Sequence, residues 1–130
     1  MNFLKIKETC LYLNDLEKAK EFYHHLLGLE VIHYLPGKHL FFRAGTSVLL
    51  CFNPEESRKK ESPPAHFGGG NQHFAFEIRL SEYAKTKKEI QEKGIEIIDE
   101  LTWDSGKESF YFRDPEGNIL EIVPDEGVWD

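Results

Sequence analysis

The sequence predicts an α+β protein made of two pseudo-symmetric βαβββ modules whose sheets enclose a cleft. Three observations predict it. Short segments recur in the same order in both halves of the chain. Each half places one amphipathic helical stretch among short alternating strands. A stretch rich in Pro, Gly and charge separates the halves.

The recurrences are specific. "ETCLYL" from Glu8 lines up with "HFAFEI" from His73, an offset of 65. "GLEVI" from Gly28 lines up with "GIEII" from Gly94, an offset of 66. "FFRAG" from Phe41 lines up with "YFRDP" from Tyr111, an offset of 70. Three matches in order at nearly equal offsets rarely arise by chance, and the drift is what loop insertions produce. One domain over residues 1–130 is expected, with module one over about 1–55, a linker over about 53–72 and module two over about 73–130.

Each element has a local reason. "ETCLYLN" alternates and predicts a strand. Asp15 then caps a helix whose apolar positions Leu16, Ala19, Phe22, Tyr23, Leu26 and Leu27 fall three and four apart. Gly28 ends it as a C′ residue. In the second half "HFAFEIR" predicts the first strand and Ser81 the helix cap. The stripe there is thin, Tyr83, Ala84 and Ile90, and Gly94 is the stop. Three short strands follow each glycine: 29–34, 39–43 and 47–52, then 95–101, 107–113 and 118–123. Between the halves, "NPEESRKKESPPAHFGGGNQ" predicts the linker.

Each module has one helix for one sheet face, so the other face is left to line a cleft, where ligands are expected. Strand alternation assigns the faces. Thr9, Leu11 and Leu13 share one side of the first strand, and Glu8, Cys10 and Tyr12 the other. Phe74, Phe76 and Ile78 should meet the second helix; His73, Ala75, Glu77 and Arg79 point away. Leu120 and Ile122 face the helix and Glu121 faces away. Leu50 and Phe52 are expected to face the first helix, and Cys51 away from it.

Glu8 and His73 are therefore repeat equivalents, and so, at offset 70, are Cys51 and Glu121. Pseudo-symmetry would bring all four towards one point. A carboxylate in a strand flanked by Ile119, Leu120, Ile122 and Val123 is costly to desolvate unless it is paired or bound to a metal. A His with two carboxylates, His73 with Glu8 and Glu121, suits a divalent cation such as Ni, Zn, Mn or Fe(II). Arg43 and Arg113 share the cleft-facing parity with His39, Phe41, Ser109 and Tyr111. Tyr12, Phe41, Arg43, Cys51, Ser109 and Tyr111 are candidate substrate contacts. His66, in "PPAHFGGG", is expected to be a solvent-exposed loop histidine, and His24 and His25 surface residues.

Composition sets outer limits. A chain of 130 residues suits one compact domain and is too short for two independent ones. With 40% hydrophobic and 30% charged residues it reads as an ordinary globular protein. The net charge of -7, with no basic stripe, argues against nucleic acid and anionic lipid as partners. No apolar run spans a bilayer and no signal peptide is evident, so a cytoplasmic location is expected. Two cysteines, Cys10 and Cys51, make no disulfide framework. A Ser-His-Asp set, a phosphate loop and a CxxC motif are all missing.

The stretches "ETCLYLNDLEKAKEFYHHLLGLEVI", "HFAFEI" and "SFYFRDPEGNILEI" resemble the vicinal oxygen chelate superfamily, the glyoxalase / bleomycin-resistance / dioxygenase group. The resemblance implies a glyoxalase-like fold of paired βαβββ modules around a metal-binding cleft. Its metal positions fall on Glu8, His73 and Glu121, with the fourth on Cys51. Glu8 stands where the family often has His, and Cys51 where glyoxalases often have Glu or His. One His with two carboxylates departs from the two-His, one-carboxylate set of oxygen-activating members. The resemblance implies a small metal-dependent lyase or isomerase. The metal would hold two substrate oxygens and stabilise an enolate, with Glu8 or Glu121 moving a proton. The alternatives are a metal-free binding protein of the bleomycin-resistance type, a fosfomycin-type thiol transferase and a dioxygenase. Pairing of modules across subunits in this family, and open sheet edges that need cover, imply a homodimer.

Overall fold

The computed structural model describes residues 1–130. The chain divides into two compact units, Met1–Gly70 and Asn71–Asp130. Each contains one four-stranded sheet. In the first the strands are β1 (Glu8–Tyr12), β2 (Glu30–Leu35), β3 (His39–Ala44) and β4 (Ser47–Phe52). In the second they are β5 (His73–Ile78), β6 (Ile97–Thr102), β7 (Glu108–Arg113) and β8 (Ile119–Pro124). The sheet orders are β1-β4-β3-β2 and β5-β8-β7-β6. In each, the outer first strand pairs parallel to the last, and the remaining pairs are antiparallel. Both sheets carry an irregularity at the same place, between Val31 and His33 and between Ile97 and Asp99. The α+β architecture and the internal repeat are thus as the sequence predicts.

The first helix opens as expected. The Asp15 carboxylate accepts from the Lys18 amide at 3.0 Å and caps α1 (Leu16–Ala19). The helix then runs on in wider π-helical turns over Lys20–Leu26, a change of pitch the apolar spacing did not signal. Leu16, Ala19, Phe22 and Tyr23 are buried, and the Tyr23 ring lies 5.7 Å from that of Phe42. Leu11, Leu13, Leu40, Phe42 and Leu49 complete this core. Burying a side chain of that size contributes about 2–3 kcal/mol. The predicted linker holds a short helix of its own, α2 (Pro54–Ser57), capped by the Asn53 side chain.

The second unit starts its helix differently from expectation. Ser81 is not the cap. It lies inside a 3₁₀ turn, Leu80–Glu82, and the Leu80 amide donates to the Asp125 carboxylate at 2.9 Å. The helix α3 (Tyr83–Glu92) follows, with Ile90 its one buried residue. The thin stripe is supplemented by polar anchoring. The Tyr83 hydroxyl and the Lys87 ammonium both donate to Glu100 on β6, at 3.0 and 2.6 Å. The Lys87 bond is the main reason the Glu100 carboxyl lies below its usual range. The Tyr83 ring meets Phe110 at 5.4 Å, edge on. Gly28 and Gly94 end the two helical segments in the left-handed region, at φ 81° and 78°, which a side chain would disfavour.

Strand register corrects one facing. Cys51 pairs with Leu11 and Leu40, which are core residues, and is itself fully buried. It therefore faces the helix side, not away from it. The residue that shares the Glu8 side is Leu50, which pairs with Cys10 and Phe41. In the second sheet Ala75 and Tyr111 pair with Glu121. Leu50 is thus the counterpart of Glu121. The cause is turn length: residues 44–47 join the pair Arg43–Val48, whereas residues 114–118 join Arg113–Ile119, one residue more. A slip of one residue reverses the face a side chain takes.

That longer turn is closed by the Asp114 carboxylate, which accepts from the amides of Glu116 and Asn118 and from the Asn118 side chain, each at 2.9 Å. Asn118 is buried, and its Oδ1 accepts from the Gln72 amide at 3.1 Å. The turn therefore pins the start of β5 against β8. Replacing Asp114 with Ala strands the buried Asn118 donors, at an expected cost of about 2–4 kcal/mol. Urea unfolding of Asp114→Ala against wild type measures it, and a loss under half that size would show the turn to be tied elsewhere.

Candidate functional site

Register places one set of side chains on the sheet face turned from the helix. In the second unit it holds His73, Glu121 and Tyr111, through the pairs His73–Ile119, Ala75–Glu121 and Tyr111–Glu121. The His73 Nδ1 lies 2.9 Å from the Ile119 carbonyl oxygen. A carbonyl only accepts, so Nδ1 carries the proton. Nε2 is the ring nitrogen left to face other partners. That nitrogen lies 3.4 Å from Glu121 Oε1. His73 is half exposed, whereas Glu121 is buried to 6% of its full exposure.

The second carboxylate oxygen, Glu121 Oε2, is buried and has no hydrogen-bond partner. A buried oxygen without a hydrogen-bond partner carries a desolvation penalty. A divalent cation would offset it. The chemistry of the donor set fits one: an imidazole Nε2 whose Nδ1–H is held by a backbone carbonyl is the arrangement metal-binding histidines adopt. An anionic oxygen stands beside it. The structure thus brings together two of the three expected ligands. Glu8 lies on β1 in the first unit, exposed, on the same face as Leu50 and opposite Val48 in the register. It corresponds by register to His73, opposite Ile119. No group of three or more His, Cys, Asp and Glu side chains stands ready around one point.

The Tyr111 phenol titrates above its ordinary range. Burial is the main cause; a hydrogen bond with Ser109 acts the other way, and the Glu121 carboxylate raises it further. Tyr111 is thus a protonated donor beside Glu121 at neutral pH.

The remaining candidates divide. Tyr12 is on the expected face, and its hydroxyl is 2.8 Å from His66 Nδ1. Phe41 is half-buried and stacked on His39 at 4.3 Å. Arg43 is exposed at the sheet end and pairs with Glu30 across the strands at 3.7 Å. Ser109 is fully buried and accepts from the Trp103 indole at 3.1 Å, so it contacts no ligand directly. Cys51, in the core, contacts none either. His66 is not the exposed loop residue the sequence predicts. It is half-buried, with its ring 4.7 Å from Phe52. The loop lies close enough that a Cβ on Gly68 would stand 2.7 Å from the Tyr12 ring, which accounts for glycine there. Adjacent glycines in a loop were the available signal for such a close approach.

A family profile described as Glyoxalase/Bleomycin resistance protein/Dioxygenase superfamily matches residues 5–122. The chain belongs to this superfamily. The crystal structure of a lactoylglutathione lyase from Agrobacterium tumefaciens is similar with a TM-score of 0.89 and 35% identity, over 93% of each chain. Glutathione transferase FosA of Serratia marcescens is 28% identical over 120 residues, covering 90% of this chain and 78% of that protein. The uncharacterized protein YwkD of Bacillus subtilis is 31% identical over 128 residues, covering 90% and 94%. The fold is accordingly glyoxalase-like. No helix is long and apolar enough to cross a membrane.

The Tyr111 environment has a direct consequence. In tyrosine ring-labelled protein followed by NMR, the Tyr111 phenol is expected to ionise above the usual value of about 10. Glu121→Gln should bring it only part of the way back, because burial is the larger cause. A Tyr111 that titrates at or below the usual value in wild type would contradict the geometry.

Proposed function

We propose that this chain is a divalent-metal-dependent enzyme of the glyoxalase type, a lyase or isomerase acting on a small oxygenated substrate. The observation that carries the reading is the pair His73 Nε2 and Glu121, with its buried, unpartnered Oε2. Glu8 is proposed as the third ligand, supported by its register equivalence to His73. Leu50 occupies the place a fourth would take, so the protein offers three donors, the number that leaves open positions for substrate. The bound ion would supply Lewis acidity towards vicinal substrate oxygens, which favours an enolate.

The chain's own groups then have definite tasks. His73 keeps Nδ1–H on the Ile119 carbonyl and offers Nε2. Glu121 offers a desolvated carboxylate. Tyr111, held protonated, donates a hydrogen bond beside it and orients the site. Glu8, exposed on β1, is the proposed proton carrier. The likeness to a lactoylglutathione lyase supports this reading. The names glutathione transferase FosA and metallothiol transferase FosB, borne by relatives at 28% identity, favour a second one, metal-dependent transfer of a thiol. A homodimer is part of the proposal, and sedimentation at micromolar concentration tests it.

Melting curves with and without Ni, Zn or Mn test the metal directly. Ligand that binds only the folded state stabilises it by about 2.7 kcal/mol at a hundredfold excess over Kd. Chelator-treated wild type should rise in melting temperature on addition of metal. His73→Ala and Glu121→Gln should fold yet lose most of that rise, and metal-free Glu121→Gln should melt no lower than wild type, because its buried anion is gone. Turnover of a glutathione hemithioacetal against thiol addition to an epoxide then separates lyase from transferase. No response to any of the metals would favour a metal-free binding protein, and a response kept in both variants would place the ion elsewhere.

A further inference from the structure

The first unit holds a cavity of about 300 Å³ between the β2–β3 turn with the start of β3, the end of β4, and α2 with the residues that follow it. Phe52 and Leu35 give it apolar walls. His39 lines it too, on the sheet face that also carries Glu8, since His39 pairs with Phe52 and Phe52 with Tyr12. Along β1 the Tyr12 position stands four residues from Glu8, about 13 Å at strand spacing.

Its charges are uneven. Lys38, Lys59 and Lys60 line the cavity against a single carboxylate, Glu56. Glu56 is engaged with Lys59 at 3.8 Å. Lys38 and Lys60 have no carboxylate within ion-pairing distance, in a chain whose net charge is -7. Lys60 instead stands 5.9 Å from the centre of the Phe52 ring. Both lysines press on His39, whose proton affinity is lowered by burial first, then by His33, Lys60 and Lys38.

Ser57 is the second, independent observation. It is the last residue of α2, lines the same cavity and is only 1% exposed. Its hydroxyl is buried without a hydrogen-bond partner. Buried hydroxyls are normally satisfied, so an orphan beside a cationic cavity points to an acceptor that arrives from outside.

We propose that this cavity binds a small molecule bearing an oxyanion, phosphate-like or carboxylate, on a flat apolar body. The anion lies between Lys38 and Lys60 and accepts from Ser57; the body lies against Phe52, Leu35 and the His39 ring. The volume is at the lower end for small-molecule pockets and suits a ligand of about one ring and one anionic group. The site does not depend on the metal reading: its residues all belong to the first unit, and neither His73 nor Glu121 takes part.

Phenyl phosphate, inorganic phosphate and phenol serve as probes, titrated at low ionic strength into the ¹⁵N-labelled full chain. Phenyl phosphate is expected to give saturable shifts at the amides of His39, Phe52, Ser57 and Lys60. Inorganic phosphate should bind at the same amides but more weakly, and phenol much more weakly still. The Lys38→Met/Lys60→Met double variant, with an unchanged melting temperature, should lose at least about tenfold in affinity, since both cations that face the anion are gone. Ser57→Ala should bind several-fold more weakly while melting no lower than wild type. Shifts that survive the double substitution, phenol binding as well as phenyl phosphate, or no saturable shift at these amides would overturn the proposal. Metal binding should be unaltered in both variants, which separates failure here from failure of the metal site.

Discussion

The buried side chain of Asn118 joins two segments that are far apart in sequence. Its Nδ2 donates to Asp114, which closes the turn before β8, and its Oδ1 accepts from Gln72, which leads into β5. The parallel register of β5 on β8 follows from that junction, and the register is what sets Ala75 opposite Glu121 and His73 opposite Ile119. Ile119 in turn offers the carbonyl that takes the His73 Nδ1 proton. The orientation of one imidazole therefore traces back to a turn on the neighbouring strand. A polar network of this kind gains from being fully satisfied and fails as a unit when one member is removed.

Most of this was readable in the chain. Alternation in "HFAFEI" and "NILEIV" sets His73 and Glu121 on the face turned from the helix, and the structure places them 3.4 Å apart. The misreadings have specific causes. A single offset of 70 puts Cys51 on the wrong face, because the turn before the last strand is one residue longer in the second half. Parity is unforgiving of such a slip, and turn length has a weak sequence signal. Ser109 has the right parity, but Trp103 covers it, and a contact between side chains six residues apart is not written in strand alternation. Ser81 suggested a cap by type; the acceptor that ties down Leu80 is Asp125, from the far end of the chain. Tertiary partners of this sort are invisible to local pattern. The cavity by α2 escaped for a related reason: "SRKK" lies within the stretch that predicts a linker, and only the fold sets Lys38 beside it.

The two halves have diverged within one frame. Both keep the same strand order, the same irregularity between their outer strands, and a helix ended by glycine. Where the second half has His73 and Glu121, the first has Glu8 and Leu50. Leucine offers no donor, and the first half is the one free to develop apolar and aromatic surface. That surface is present: Phe41, Phe52, His39 and Tyr12 with His66 line the same face. One half thus carries a histidine–carboxylate pair and the other aromatic walls, a division that repeat architecture permits because each sheet carries its own core.

The central claim is that a backbone carbonyl fixes His73 as an outward-facing Nε2 donor beside a desolvated carboxylate. Long-range ¹H–¹⁵N NMR of the histidine rings in metal-free protein, repeated on titration with Zn, tests it most directly. The expected result is a proton held on His73 Nδ1, with Zn shifting the Nε2 resonance while the Nδ1 proton stays in place. A His73 whose Nδ1 carries no proton, or an Nε2 resonance that Zn leaves unmoved, would contradict it.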